Sequence, residues 1–181
     1  MENEEKVTKK DIIKVVKEIT SYVLIILVVL LIKKYIFTPI RVNGESMYPT
    51  LKHNDIMILN EIGYYINGLD RFDIVVVDTN GEKIIKRVIG LPGDKVEYKD
   101  NKLFINDEEI KEDFNHADTL DFSVNKDLGY EIIPDDYYFV VGDNRINSID
   151  SRMIGLVSEK QILGKTKFVV YPFNRFGNIE K

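Results

Sequence analysis

The hydrophobic pattern divides the chain into two regimes. Over residues 19–37, ITSYVLIILVVLLIKKYIF, apolar residues follow one another with no polar face. A helix that is apolar all round has no solvent side to offer, so this stretch predicts a single membrane anchor. Its uncharged part, residues 19–32, is about 21 Å long as a helix, short of a hydrocarbon core of about 30 Å. Extension to Phe37 gives about 28 Å if Lys33 and Lys34 carry their ammonium groups to the interface. Pro39 disfavours helix at Thr38 and sets an end there. A cleavable signal peptide is the first alternative. It requires small residues after the apolar run, yet KKYIFTPIRVNGE has none at an A-x-A spacing and Ala117 is the only alanine in the chain. A buried core helix is the second, and a domain this small has little with which to cover one on every side. Lys6, Lys9, Lys10, Lys14 and Lys17 precede the span and Lys33, Lys34, Arg41 and Lys52 follow it, a balance that leaves its orientation open.

From Val42 onward the period falls to two. Short β-branched runs occur at DIMIL (55–59), DIVVVD (73–78) and KIIKRVIG (83–90), punctuated by Gly63, Gly68, Gly81 and the LPGD of residues 91–94. KVEYKDNKLFIN (95–106) predicts a hairpin turning at Asp100 and Asn101. DDYYFVVGDN (135–144) and KTKFVVYPF (165–173) predict later strands. The polar, weakly periodic residues 106–127 read as a surface excursion or small cap rather than a second domain. The expected organisation is an N-terminal segment (1–18), an anchor (19–37) and a mainly β domain (38–181).

Composition narrows the chemistry. The chain has 181 residues, room for one globular domain plus an appendage, and a formal charge of −5, which argues against a nucleic-acid partner. Cysteine is absent, which excludes disulfides and thiolate metal sites. The two histidines, His53 and His116, show no ligand spacing, so neither a metal nor a cofactor is expected.

Three stretches carry candidate chemistry. In RVNGESMYPTL (41–51), Ser46 sits on a short loop just past the apolar span. Gly44 permits a close approach or an unusual φ, and Pro49 biases Tyr48 towards an extended conformation. On such a loop a serine can equally be a turn residue. To act as a nucleophile it needs a base. His53, His116 and a neutral lysine are the options, and no GxSxG elbow surrounds Ser46. In EKIIKRVIG, strand alternation puts Lys86 on one face with Ile84 and Val88, where desolvation would lower its pKa; an edge lysine pointing to solvent fits the same alternation. The third stretch, GDNRINSIDSR (142–152), leaves an apolar run, and its Asp150 and Arg152 are placed to form a partly buried pair.

SMYPTL, RFDIVVVD, KRVIGLPGDKVEY and GDNRINSIDSR, in this order behind an apolar span, resemble the sequence boxes of type I signal peptidases. These are Ser/Lys membrane proteases that release secretory signal peptides. The ending YPFNRFG (171–177) resembles Gram-positive members, as does the short region between the hairpin and YYFVV. The resemblance implies a β catalytic domain on the membrane surface, with Ser46 as nucleophile and Lys86 as general base. Ser148 would hydrogen-bond the lysine amine. Asp150 and Arg152 would form a supporting ion pair, and Asp143 and Arg145 would stabilise the same loop. The Ser46 N–H would serve the oxyanion, with Gly44, Met47 and Pro49 shaping the substrate groove and oxyanion site. The resemblance also implies a cytoplasmic N-terminus, an extracytoplasmic catalytic domain in the cell membrane, signal peptides and the lipid bilayer as partners, and no cofactor; the oligomeric state is left open, with a monomer the expectation. Gly44 stands where some members carry a serine whose hydroxyl completes the oxyanion hole. Phe72 stands where glycine is common, and Ile146 where an acid is common; neither is expected to affect the pair. A self-cleaving Ser/Lys repressor is the rival enzyme, but no helix-turn-helix or internal small-residue cleavage site is present. A membrane-anchored binding module is the non-enzymatic rival, against which both Ser46 and Lys86 stand.

Overall fold

The computed structural model describes residues 9–36 and 38–179, in two compact units divided after Phe37. The first contains one helix, α1 (Lys9–Ile36). It begins ten residues before the expected anchor, because residues 9–18 contain no proline or glycine and are dominated by Lys, Ile and Val, which a helix tolerates. Residues 19–36 of the expected span are thus helical, and Phe37 lies outside the described residues. Among the described residues, no helix is long and apolar enough to cross a membrane.

The second unit is built on antiparallel sheet. Its first elements are β1 (Thr38–Arg41), β2 (Ile56–Asn60), a short helix α2 (Glu61–Asn67), β3 (Ile74–Thr79) and β4 (Glu82–Gly90). The hairpin β5 (Val96–Lys99) and β6 (Lys102–Ile105) follows, then β7 (Glu108–Ile110), β8 (Phe122–Ser123) and α3 (Val124–Leu128). The chain finishes with β9 (Tyr137–Val141), α4 (Ser151–Ile154), β10 (Val157–Ser158), β11 (Ile162–Tyr171) and β12 (Gly177–Asn178). The larger sheet runs β1-β2-β11-β3-β4-β9-β10, with β12 also on β11, and the smaller runs β7-β6-β5-β8. Each predicted run lies on a strand, displaced by a residue or a few at its ends. The hairpin turns at Asp100 and Asn101, whose φ values of 51° and 62° are the left-handed pair that a two-residue hairpin demands.

Alternation explains the burial. On β3, Ile74 and Val76 enter one core cluster while Val75 and Val77 enter another. On β9, Phe139 and Val141 face the smaller sheet's core and Val140 the opposite cluster. Central strands are therefore covered on both faces, which is why their sequences are near-continuous apolar runs.

Residues 106–127 do more than the expected surface excursion. β7 pairs with β6 and β8 with β5, so the segment supplies both edges of the smaller sheet. Its polarity conceals this role because much of the buried content is itself polar: Thr119 and Ser123 are buried, as is the Glu112 carboxylate.

Candidate active site

Ser46 lies on the loop between β1 and β2. Met47 and Leu51 pin this loop into a core cluster with Ile40, Val42, Met57 and Ile85. The Leu51 N–H donates to the Met47 carbonyl at 2.8 Å, and the Tyr48 N–H to the Glu45 carbonyl at 3.0 Å. Arg175, from the C-terminal end, donates to the Thr50 carbonyl at 2.7 Å. Gly44 adopts φ +90° with open space where a Cβ would sit, so its backbone conformation, and not crowding, favours glycine. The result is a tethered turn with a half-buried serine.

Lys86 arrives from β4, paired with Val75 of β3. It is only 3% exposed. Its Nζ donates to Ser46 Oγ at 2.8 Å and to its own neighbour's carbonyl, Ile85 O, at 3.1 Å. Burial lowers its pKa to about 8, against the opposing pull of the Asp150, Asp143 and Glu82 carboxylates. A substantial neutral fraction therefore exists in the mildly alkaline range. The two histidines are engaged elsewhere. His53 Nδ1 accepts the Gly44 N–H at 3.1 Å. His116 lies 3.5 Å from Glu112, with its ring tilted against that of Phe114.

The loop leaving β9 fixes four parts of the domain in succession. The Gly142 N–H donates to Asp150 Oδ2 at 3.0 Å. A Cβ on Gly142 would lie 2.2 Å from Ser148 Oγ and 2.4 Å from the Ser46 carbonyl oxygen, so only glycine lets this strand end pass the serine loop. Asp143 forms a two-pronged pair with Arg87 at 2.9 and 2.7 Å, both side chains being at most 1% exposed. Asn144 bonds the backbone on either side of Ser46. Arg145 donates to Glu112 at 2.6 Å, Thr119 at 2.7 Å and the Tyr98 hydroxyl at 3.0 Å. Asp143 and Arg145 thus hold the loop through different partners.

Asp150 and Arg152 form the expected pair, at 2.9 and 2.8 Å. Burial pushes the Asp150 carboxyl up, but Arg152 and the Gly142 N–H outweigh it and hold the group below its ordinary value. Ser148 departs from expectation. Its buried Oγ makes no hydrogen bond among the described residues, although it lies close enough to Asp150 to favour the carboxylate's charged form. The Lys86 amine is directed instead to Ser46 and Ile85, and Ser148 Oγ is wedged against Gly142. Met47, expected to shape the groove, is 2% exposed and belongs to the core; Pro49 is half-buried.

Arg87 and Glu112 escaped the sequence reading. An arginine inside an apolar strand, next to Lys86, was a usable signal. Glu112 gave none, being one acid among many in a polar stretch. Phe72 has φ +72°, strained for a bulky side chain and the physical reason that glycine suits this place. Its carbonyl accepts from Arg87 at 3.0 Å, so it is linked to the residue beside Lys86. No group of three or more His, Cys, Asp or Glu side chains among the described residues is arranged to hold a metal.

Comparison with known proteins places this geometry in context. A family profile described as signal peptidase, peptidase S26, matches residues 12–171. Signal peptidase I S of Bacillus subtilis (strain 168) is 43% identical over 96% of this chain and 97% of its own. Signal peptidase IB of Staphylococcus aureus (strain Mu50) is 38% identical over 87% of this chain and 90% of its own. A crystal structure of a signal peptidase I from Enterococcus faecalis V583 aligns with 54% of this chain and 95% of its own, at 36% identity and a TM-score of 0.49. The chain belongs to the signal peptidase family, peptidase S26, and within it to the type I signal peptidases, which are serine peptidases.

Proposed function

We propose that the protein is a membrane-anchored endopeptidase that uses a Ser46/Lys86 dyad to remove signal peptides from secretory preproteins, cutting after small residues. Removal of signal peptides is the activity of its family; the dyad, the anchor and the preference for small residues are the finer reading. The observation that carries the dyad is the 2.8 Å contact between Ser46 Oγ and an almost fully buried amine.

Chemistry follows from the amine's neutral form. Its lone pair accepts the Ser46 hydroxyl proton as Oγ attacks the scissile carbonyl carbon. The developing oxyanion is met by the Ser46 N–H. Lys86, now charged, returns the proton to the departing amine, and the carbon–nitrogen bond breaks to leave an ester on Ser46. A water then gives a proton to Lys86 as its oxygen attacks the ester carbon; the C–Oγ bond breaks, Lys86 returns the proton to Ser46 Oγ, and the signal peptide leaves with its new C-terminal carboxyl group. Asp150 and Asp143 lie near enough to stabilise the transient ammonium, while Arg152 and Arg87 hold the two carboxylates in place. The Gly44 N–H is occupied by His53, so the second oxyanion donor is another backbone group or water.

On this reading the apolar helix is the anchor, with the N-terminus in the cytoplasm and the β domain outside, near membrane-held substrates. The test uses a fluorogenic signal-peptide substrate. Ser46→Ala and Lys86→Ala each abolish turnover, and the double variant is little worse than either, because the pair acts as a unit. Near-normal turnover by Lys86→Ala, with loss in His53→Ala, would sink the lysine-base mechanism.

A further inference from the structure

We infer that Asn144 is a positioning residue of the oxyanion site: its carboxamide orients the peptide plane whose N–H is offered to the substrate's developing negative charge. Asn144 Nδ2 donates to the Glu45 carbonyl at 3.1 Å, and the Asn144 backbone N–H donates to the Ser46 carbonyl at 3.0 Å. One residue therefore holds the carbonyl before Ser46 and the carbonyl after it. The Glu45 carbonyl and the Ser46 N–H belong to the same peptide unit. The cis bonds of the described chain are at Tyr48-Pro49 and Tyr171-Pro172, so this unit is trans and its C=O and N–H point in opposite directions. Asn144 fixes this carbonyl together with the Tyr48 N–H, which donates to it at 3.0 Å, and the Ser46 N–H is thereby turned to the opposite side of the plane. The second bond fixes the next peptide plane, and together they limit rotation about both backbone bonds of the nucleophile.

The assignment of the amide is unambiguous in this setting. A carbonyl oxygen can only accept, so the NH2 group and not the oxygen of Asn144 must face Glu45. Asn144 is itself rigidly mounted. Its neighbours Asp143 and Arg145 are both buried in ion pairs, and its carbonyl accepts the Asn147 N–H at 3.0 Å. Gly142 lets this mount approach the Ser46 carbonyl closely. The serine loop retains independent anchors in Met47 and Leu51, so loss of one side-chain bond leaves it in place.

This inference rests on the proposed role of Ser46 as nucleophile. The full-length protein in detergent is compared with Asn144→Ala and with Asn144→Asp, which keeps the shape but cannot donate to a carbonyl once ionised. Both retain the backbone bond to Ser46. Expected are a fall in kcat of about 10- to 100-fold, part of the loss seen when an oxyanion donor is deleted outright, and a KM within about twofold of the parent. A peptide aldehyde, whose adduct with Ser46 presents an oxyanion, should lose affinity by a similar factor, while an uncleavable peptide binds as before. The midpoint of the acid limb should stay in place, because Lys86 is untouched. An unchanged kcat overturns the inference. So does a loss carried by KM together with a displaced acid limb, which would mark Asn144 as a general staple of the loop. Activity surviving in Ser46→Ala would instead bring down the nucleophile assignment, and the inference with it; an inert Ser46→Ala beside an unimpaired Asn144→Ala refutes the inference alone.

Discussion

An amine kept inside the protein with a pKa of about 8 destabilises the fold wherever it is charged. Below about pH 8, Lys86 is protonated in both folded and unfolded chains, and the full burial penalty applies. Between that value and the ordinary 10.5, the folded protein has shed a proton that the unfolded chain still binds, so stability rises with pH across this window. Above it both forms are neutral and the penalty is gone. The displacement corresponds to about 3 kcal/mol. Lys86→Met should therefore be inactive yet about 2–3 kcal/mol more stable than the parent in urea at pH 7, with the difference closing by about pH 10.5. Activity should climb through an acid limb centred near pH 8, read from kcat/KM against pH. Alternation alone could not choose between a buried and a solvent-facing Lys86, because the choice is made by the serine loop that lies against it. Ser46, Asp150 and Arg152 were legible because short motifs hold them at fixed spacings. The Arg145–Glu112 contact crosses 33 residues of chain and left no local trace.

At the level of elements, the loop after β9 acts as a bracket. Its Asp143–Arg87 pair joins it to β4, the strand that carries Lys86. Removing one partner leaves the other charged in the interior. Arg87→Met should cost about 3–5 kcal/mol in chemical denaturation, and Arg87→Met combined with Asp143→Leu should recover much of the loss by removing the orphaned carboxylate. A methyl at position 142 meets Ser148 Oγ and the Ser46 carbonyl well inside contact distance. Gly142→Ala should depress kcat at least tenfold, assayed on a peptide substrate beside its circular dichroism spectrum, which should remain that of a folded β protein. The strands themselves were readable from period-two runs and turn residues. Residues 106–127 were not, because the strands they add, β7 and β8, are three and two residues long, too short to show a period.

For the molecule as a whole, the two units invite separation. β1 starts at Thr38 and pairs along its length with β2, and Ile40 enters the core. If the helix is the proposed anchor, a chain beginning at Thr38 should fold and cleave short soluble peptides, while losing at least tenfold more activity against membrane-embedded preproteins, near which it would no longer be concentrated. A chain beginning at Val42 lacks β1 and should melt at a lower temperature. Equal losses on both substrates for the Thr38 chain would mean that the helix takes part in the catalytic fold.

The sheet order also bears on when the two halves of the large sheet can be joined during synthesis. β2, which follows the Ser46 loop, and β3, which leads into Lys86, do not pair with each other; β11 lies between them. A ribosome will have made both dyad residues long before it reaches Ile162, yet until that strand emerges nothing in the large sheet ties the serine's half to the lysine's. Until then Ser46 and Lys86 are held together by core and loop contacts alone, with no strand pairing between their halves of the sheet. On the proposed function, the catalytic pair gains its sheet scaffold only when this last long strand is in place.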